Sequence, residues 1–95
     1  MKELNIYCKR ILEIVCEDLE IDCLSVLNGK KTHEVDARSI YITLLSERLT
    51  IAEISLATGW SPQLVSKLKN DFEKRQQRWS VRKNYDSIKE KILLL

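Results

Sequence analysis

Apolar residues recur at three- and four-residue steps through most of this sequence, and that period divides it into helices. Leu4, Cys8, Ile11, Leu12, Val15, Cys16 and Leu19 form one stripe and predict an amphipathic helix over 4–19. Asp22 can cap a second, short helix over 23–27, which Asn28-Gly29 terminates. Gly29 to Glu34 reads as a loop, basic at its start. A third helix is expected from about Val35 to Arg48, burying Ile40, Leu44 and Leu45. Two helices around Gly59 follow, the second running without interruption through Phe72 towards Trp79. A last helix, from about Asn84 or Asp86, ends in the apolar Ile92-Leu93-Leu94-Leu95.

The segment around Gly59 is the most informative. Thr50 followed by Glu53 is a capping box, with a hydroxyl for the N3 amide and a carboxylate for the cap amide. Ile51, Ile54 and Ala57 make its apolar stripe. Thr58-Gly59 ends the helix where a left-handed residue is needed, and a β-branched side chain at 59 would also crowd the two helices. Ser61-Pro62 starts the next helix, with a hydroxyl at the N-cap and proline at N1. Val65 and Leu68 face back to the first helix, and Ala57 keeps the crossing close. Pro62, Gln63, Ser66, Lys67 and Asn70 are left outside, polar and partly basic. This is the grammar of a helix-turn-helix whose second helix can lie in a major groove. Gln63 is the best base reader, since its amide can pair with adenine N6 and N7, and Ser66 and Asn70 can assist. Lys67, Lys69, Lys74 and Arg75 can neutralise phosphates, which adds affinity without sequence choice.

Ninety-five residues allow one domain, and 44% apolar with 32% charged residues suits an ordinary soluble globule. One proline and two glycines among long periodic runs argue for an all-α, compact bundle of five or six helices. Only Met1-Lys2 precedes the first helix, and no apolar run approaches the ~18 residues of a span. Neither a leader nor a membrane partner is therefore expected, and the expected location is cytoplasmic. Cys8, Cys16 and Cys23 lack the close pairing of zinc or redox sites, and His33 is the sole histidine. Buried thiols are expected, with no metal and no cofactor. Charge is uneven: residues 1–59 carry 7 Lys/Arg against 10 Asp/Glu, and residues 60–95 carry 9 against 4. The basic rear half suits a polyanion, although a solvated charged surface gives the same count.

Four segments carry a resemblance over nearly the whole length. They are Val15 to Leu27 (VCEDLEIDCLSVL), Gly29 to His33 (GKKTH), Val35 to Leu45 (VDARSIYITLL) and Ile51 to Gly59 (IAEISLATG). Together they resemble the C-terminal DNA-binding domain of the bacterial replication initiator DnaA and the small phage or mobile-element proteins built on it. The resemblance implies a bundle with a helix-turn-helix of the Trp-repressor-like kind and double-stranded DNA as partner. It implies that the loop lysines Lys30 and Lys31 touch the DNA backbone, and it matches Arg38 to the family's arginine. Arg38 has an alternative partnership with Asp36 or Glu34 within its own helix. Ser61 falls in the family's base-reading segment, R-D-H-T-T-V, which here reads Trp60-Ser61-Pro62-Gln63-Leu64-Val65; only Val65 is kept. Asp36 stands where many members carry an arginine that enters the minor groove. The initiator's target sequence is therefore not implied, and without any G-x-x-x-x-G-K-S/T the ATPase module is absent.

Trp60 is read as a core plug at the turn, and Trp79 as the residue that seats the terminal helix, with stacking on bases or on a partner protein as its alternative. The terminal Leu93-Leu94-Leu95 is either core closure or an exposed patch favouring self-association. With one histidine and no serine beside a plausible base, an enzyme is not expected. The expected function is a small DNA-binding regulator or replication accessory factor. The alternative is a protein-interaction module that kept the fold and lost DNA contact. The two part on whether Glu34, Asp36 or Asp71 breaks the positive face.

Overall fold

The first helix forms as its stripe predicts. In a computed structural model, which describes residues 2–94, α1 spans Lys2–Leu19 and buries Cys8, Ile11, Ile14, Val15 and Cys16. It ends in a Schellman turn: Glu20 takes φ 55, and the Ile21 N–H reaches back to the Cys16 carbonyl at 3.1 Å. A left-handed glutamate is costly, and the motif is why it is there. Asp22 then caps α2, Cys23–Asn28, its side chain accepting from the Leu24 N–H. Gly29 closes α2 in extended conformation, its N–H bonded to the Ser25 carbonyl at 2.7 Å.

The third helix, α3, is Thr32–Leu45, starting three residues before the expected Val35 and stopping three before Arg48. Its early start is set by Glu34, whose carboxylate accepts the Lys31 N–H at 3.0 Å; the lysine has no acceptor to return. Its end tightens into turns over 46–49, with the Glu47 and Arg48 amides bonded three residues back. This helix is central. It packs on α1, α2, α5 and α6, so its buried residues lie all round it and include Asp36 and Ser39 as well as Ile40, Tyr41, Ile42, Leu44 and Leu45.

The next two helices, α4 (Ile51–Thr58) and α5 (Pro62–Arg75), form the expected helix-turn-helix. Thr50 Oγ1 accepts from the Glu53 N–H at 3.2 Å while Glu53 Oε1 accepts from the Thr50 N–H at 2.9 Å. Gly59 takes φ 80, and Ser61 caps α5 with Pro62 behind it. Two further bonds fix the turn: Ser55 Oγ donates to the Trp60 carbonyl at 2.6 Å, and Thr58 Oγ1 accepts the Trp60 N–H at 3.2 Å. The expected crowding at Gly59 is not found, because a Cβ there would meet nothing within 4 Å. Any cost of a side chain comes from backbone conformation alone.

The rear of the chain departs most from expectation. The fifth helix stops at Arg75 rather than running to Trp79, the chain turns over 76–78, and α6 is Trp79–Leu93, beginning well before Asn84. The Gln77 and Arg78 amides bond to carbonyls three residues back, which redirects the chain and brings Val81, Tyr85 and Ile88 into the core. Tyr85, not Trp79, seats this helix. Its ring lies 4.8 Å from that of Phe72, and its hydroxyl donates to Glu47 at 2.5 Å. Trp79 is 74% exposed, under the Lys83 ammonium. Leu93 and Leu94 are 70% and 83% exposed and do not close the core; Leu95 lies outside the described residues. Trp60 is partly buried, edge-on to Tyr41, as a plug at the turn should be. The described residues make an all-α bundle of six helices, none long and apolar enough to cross a membrane.

Candidate functional site

The outer face of α5 follows from its inner one. Val65, Leu68 and Phe72 point into the core at three- and four-residue steps, which turns Gln63, Lys67, Asn70 and Lys74 to solvent. Pro62, Gln63, Ser66, Lys67, Asn70 and Asp71 line one open groove along that face. The five outward positions expected from the sequence are thus brought together. Lys67, Lys69 and Lys74 are exposed and make no ion pair among the described residues. Ser61 sits at the head of the groove. Its oxygen accepts the Leu64 N–H at 3.2 Å, which leaves the hydroxyl hydrogen available.

Beyond Asp71 the surface continues into a second depression lined by Lys74, Arg75 and Arg78. Beneath it lies Asp36, 8% exposed, whose Oδ1 accepts from Arg75 Nη1 at 2.8 Å and from Arg78 Nη2 at 2.5 Å. Arg75 is therefore held inward rather than left free for a phosphate, and its Nε is buried without a partner among the described residues. This cluster was missed in the sequence, and a signal for it existed. Asp36 falls on the same helical stripe as Ile40 and Leu44, where a carboxylate is tolerated only if it is paired.

The basic loop is built from below by Arg38. Its Nε donates to the Val26 carbonyl at 2.8 Å and its Nη2 to the Gly29 carbonyl at 2.6 Å, so the guanidinium faces inward under the loop. Burial lowers its pKa, with Glu34 opposing that effect. It adopts neither the intrahelical pairing with Asp36 nor an outward pose. Lys30 and Lys31 are exposed, directly before α3. Asp36 joins the first turns of α3 to the end of α5, and five residues of helix rise only about 7–8 Å. The loop therefore lies towards the C-terminal end of α5, while Gln63 is at the opposite end.

The three acidic residues that could break a positive face behave differently. Glu34 is turned onto the Lys31 amide, and Asp36 is buried under two guanidiniums. Asp71 alone lies in the groove, and it makes no ion pair among the described residues. Glu47, on the turn after α3, belongs to a different contact. Burial opposes its charge, but the hydrogen bonds from Tyr85 and Lys89 outweigh that and hold its pKa below the ordinary value.

Fold and surface together define an all-α bundle that presents an exposed, partly basic helix from a helix-turn-helix. No family model, curated protein or solved structure matches the chain in comparison.

Proposed function

We propose that this chain is a double-stranded DNA-binding module, acting as a small regulator or replication accessory factor without ATPase activity. The observation that carries the reading is the groove of α5, where Gln63, Ser66, Lys67 and Asn70 share one open face. A helix braced by a second helix, with amide, hydroxyl and ammonium side chains along one open face, suits a major groove. Gln63 would read a base, Ser66 and Asn70 would assist, and Ser61 and Lys67 would hold phosphates. Lys30 and Lys31 would touch the backbone beside the groove, with Arg38 shaping their loop from beneath. The resemblance to the initiator's DNA-binding domain points the same way. The cytoplasm is the compartment such a module would work in, and catalysis has no part in the reading.

The same resemblance leaves the target open, because the residues that would read it differ. The test is fluorescence anisotropy on a labelled duplex across several salt concentrations. Binding at ~50 mM salt and micromolar protein is expected, with a log–log slope of about −3 to −5 for a handful of phosphate contacts. Absence of binding under those conditions would overturn the proposal.

A second reading, a helical protein-interaction module, is favoured by one set of observations. Asp71 sits in the groove, and Leu56, Leu64, Leu93 and Leu94 are exposed. A partner protein or a second copy docking through the C-terminal helix would cover Leu93 and Leu94. Sedimentation of the chain alone distinguishes self-association from a monomer.

A further inference from the structure

We propose that Cys16 and Cys23 are a disulfide-forming pair, a modification site that closes the corner between α1 and α2. Seven positions apart in sequence, the two residues do not look paired. The Schellman turn pairs them. Glu20 in left-handed conformation reverses the chain, Asp22 caps α2, and the first residue of α2 is delivered against the last turn of α1. The two Sγ atoms lie 2.8 Å apart, with both thiols free. A disulfide bond is about 2.05 Å long, so the sulfurs need to close by only about 0.8 Å. A shared metal fits less well. Two thiolates at about 2.3 Å from one tetrahedral ion sit about 3.8 Å from each other, and no third ligand stands nearby among the described residues.

Burial gives the two sulfurs different roles. Cys16 is buried, and that burial, with the Cys23 thiol beside it, pushes its pKa up to about 12. Cys23 is partly exposed, so it is the sulfur that an oxidant meets first. The oxidant is a small-molecule disulfide. The Cys23 thiolate attacks one of its sulfurs, a mixed disulfide forms, and one small thiol leaves. Cys16 then gives up its proton and attacks the Cys23 sulfur, and the second small thiol leaves. Two protein thiols and one disulfide become one protein disulfide and two thiols. Any dithiol of sufficient reducing power reverses the exchange. The bridge would tether α2, whose Val26 and following Gly29 carbonyls Arg38 holds. Cys8, buried in the core on α1, has no such neighbour and serves as an internal control.

The experiment incubates the folded chain with glutathione disulfide, quenches with acid, and alkylates the remaining thiols under denaturing conditions. Intact mass should fall by two hydrogens before alkylation, and Cys8 alone should be alkylated. A glutamate-specific protease, cutting after Glu17 and Glu20, should yield fragments joined through Cys16 and Cys23. Arrest at a glutathione adduct on Cys23, or three alkylated cysteines, would overturn the proposal. So would a bridge that forms as fast in concentrated urea as in the folded chain. In Cys23→Ser no bridge should form; a Cys8–Cys16 bridge forming there as readily would also refute it. None of these readouts depends on DNA binding.

Discussion

Gly59 holds φ 80 with open space where a Cβ would stand. A substitution there therefore meets backbone strain and little else. Gly59→Ala should cost about 1–2 kcal/mol, and Gly59→Asn distinctly less, because asparagine tolerates the left-handed region. Urea melts followed by circular dichroism would measure both; equal losses for the two variants would contradict the strain account. Gly29 is the opposite case. Its φ is ordinary, but a Cβ would collide with the Glu34 carboxylate and stand 2.5 Å from the Ser25 carbonyl. Both glycines announce themselves as helix ends, Gly59 in Thr-Gly-x-Ser-Pro and Gly29 after Asn28, but the crowding at Gly29 does not. Close approach by a side chain five residues on leaves no such mark. Glu20 is the third special position. A left-handed glutamate costs about 1–2 kcal/mol, partly offset in glycine by a looser unfolded chain, so Glu20→Gly should stabilise the protein by roughly 0.5–1 kcal/mol. A lowered urea midpoint would show that Glu20 is held by contacts beyond the turn.

The body of α1 was legible from its stripe, and the starts of α4 and α5 from chemically marked caps, Thr50 with Glu53 and Ser61 with Pro62. The join between α5 and α6 was not. Residues 76–84 contain neither glycine nor proline, and every residue there accepts a helical backbone, so the break is made by tertiary contacts. Arg78 on Asp36 and Tyr85 on Phe72 and Glu47 decide where the chain turns. Asp36→Asn tests this. It leaves two guanidiniums without their carboxylate, and with Arg78 half exposed the loss should be roughly 2 kcal/mol, below the 3–5 of a fully buried pair. The outward face of α5 was legible because three core positions fix it. If α5 lies in a major groove, Lys67→Ala should weaken binding on every duplex and make the salt slope shallower by about one unit. Gln63→Ala should instead cost roughly 1–3 kcal/mol on a preferred site and little elsewhere. Identical behaviour of the two variants, measured by anisotropy, would mean that α5 does not read bases.

Across the molecule, α6 is what encloses the core, and it is latched at two places. Asp18 on α1 accepts from Lys91 and Ser87, and Glu47 accepts from Tyr85 and Lys89. Both latches join residues far apart in sequence, which is why neither periodicity nor charge counts disclosed them. The second latch should make stability depend on pH at both ends. Glu47 is held below its ordinary pKa, so its contribution is present above the unfolded value, near 4.5, and is lost as pH falls through the folded one. Tyr85 is shifted the other way, raised first by burial and then by its bond to Glu47. Its contribution is complete below the unfolded value of 10.0 and is lost as pH rises through the folded one. The latch should therefore be at full strength only between these limits. Glu47 is more than one-third exposed, so solvent screening holds its share to about 1 kcal/mol or less. Urea melts of the native chain and of Glu47→Gln check this. The two midpoints should differ at pH 7 and converge towards pH 3, where the native carboxylate is protonated. A gap that stayed constant across that range would mean that Glu47 acts through packing and not through its charge.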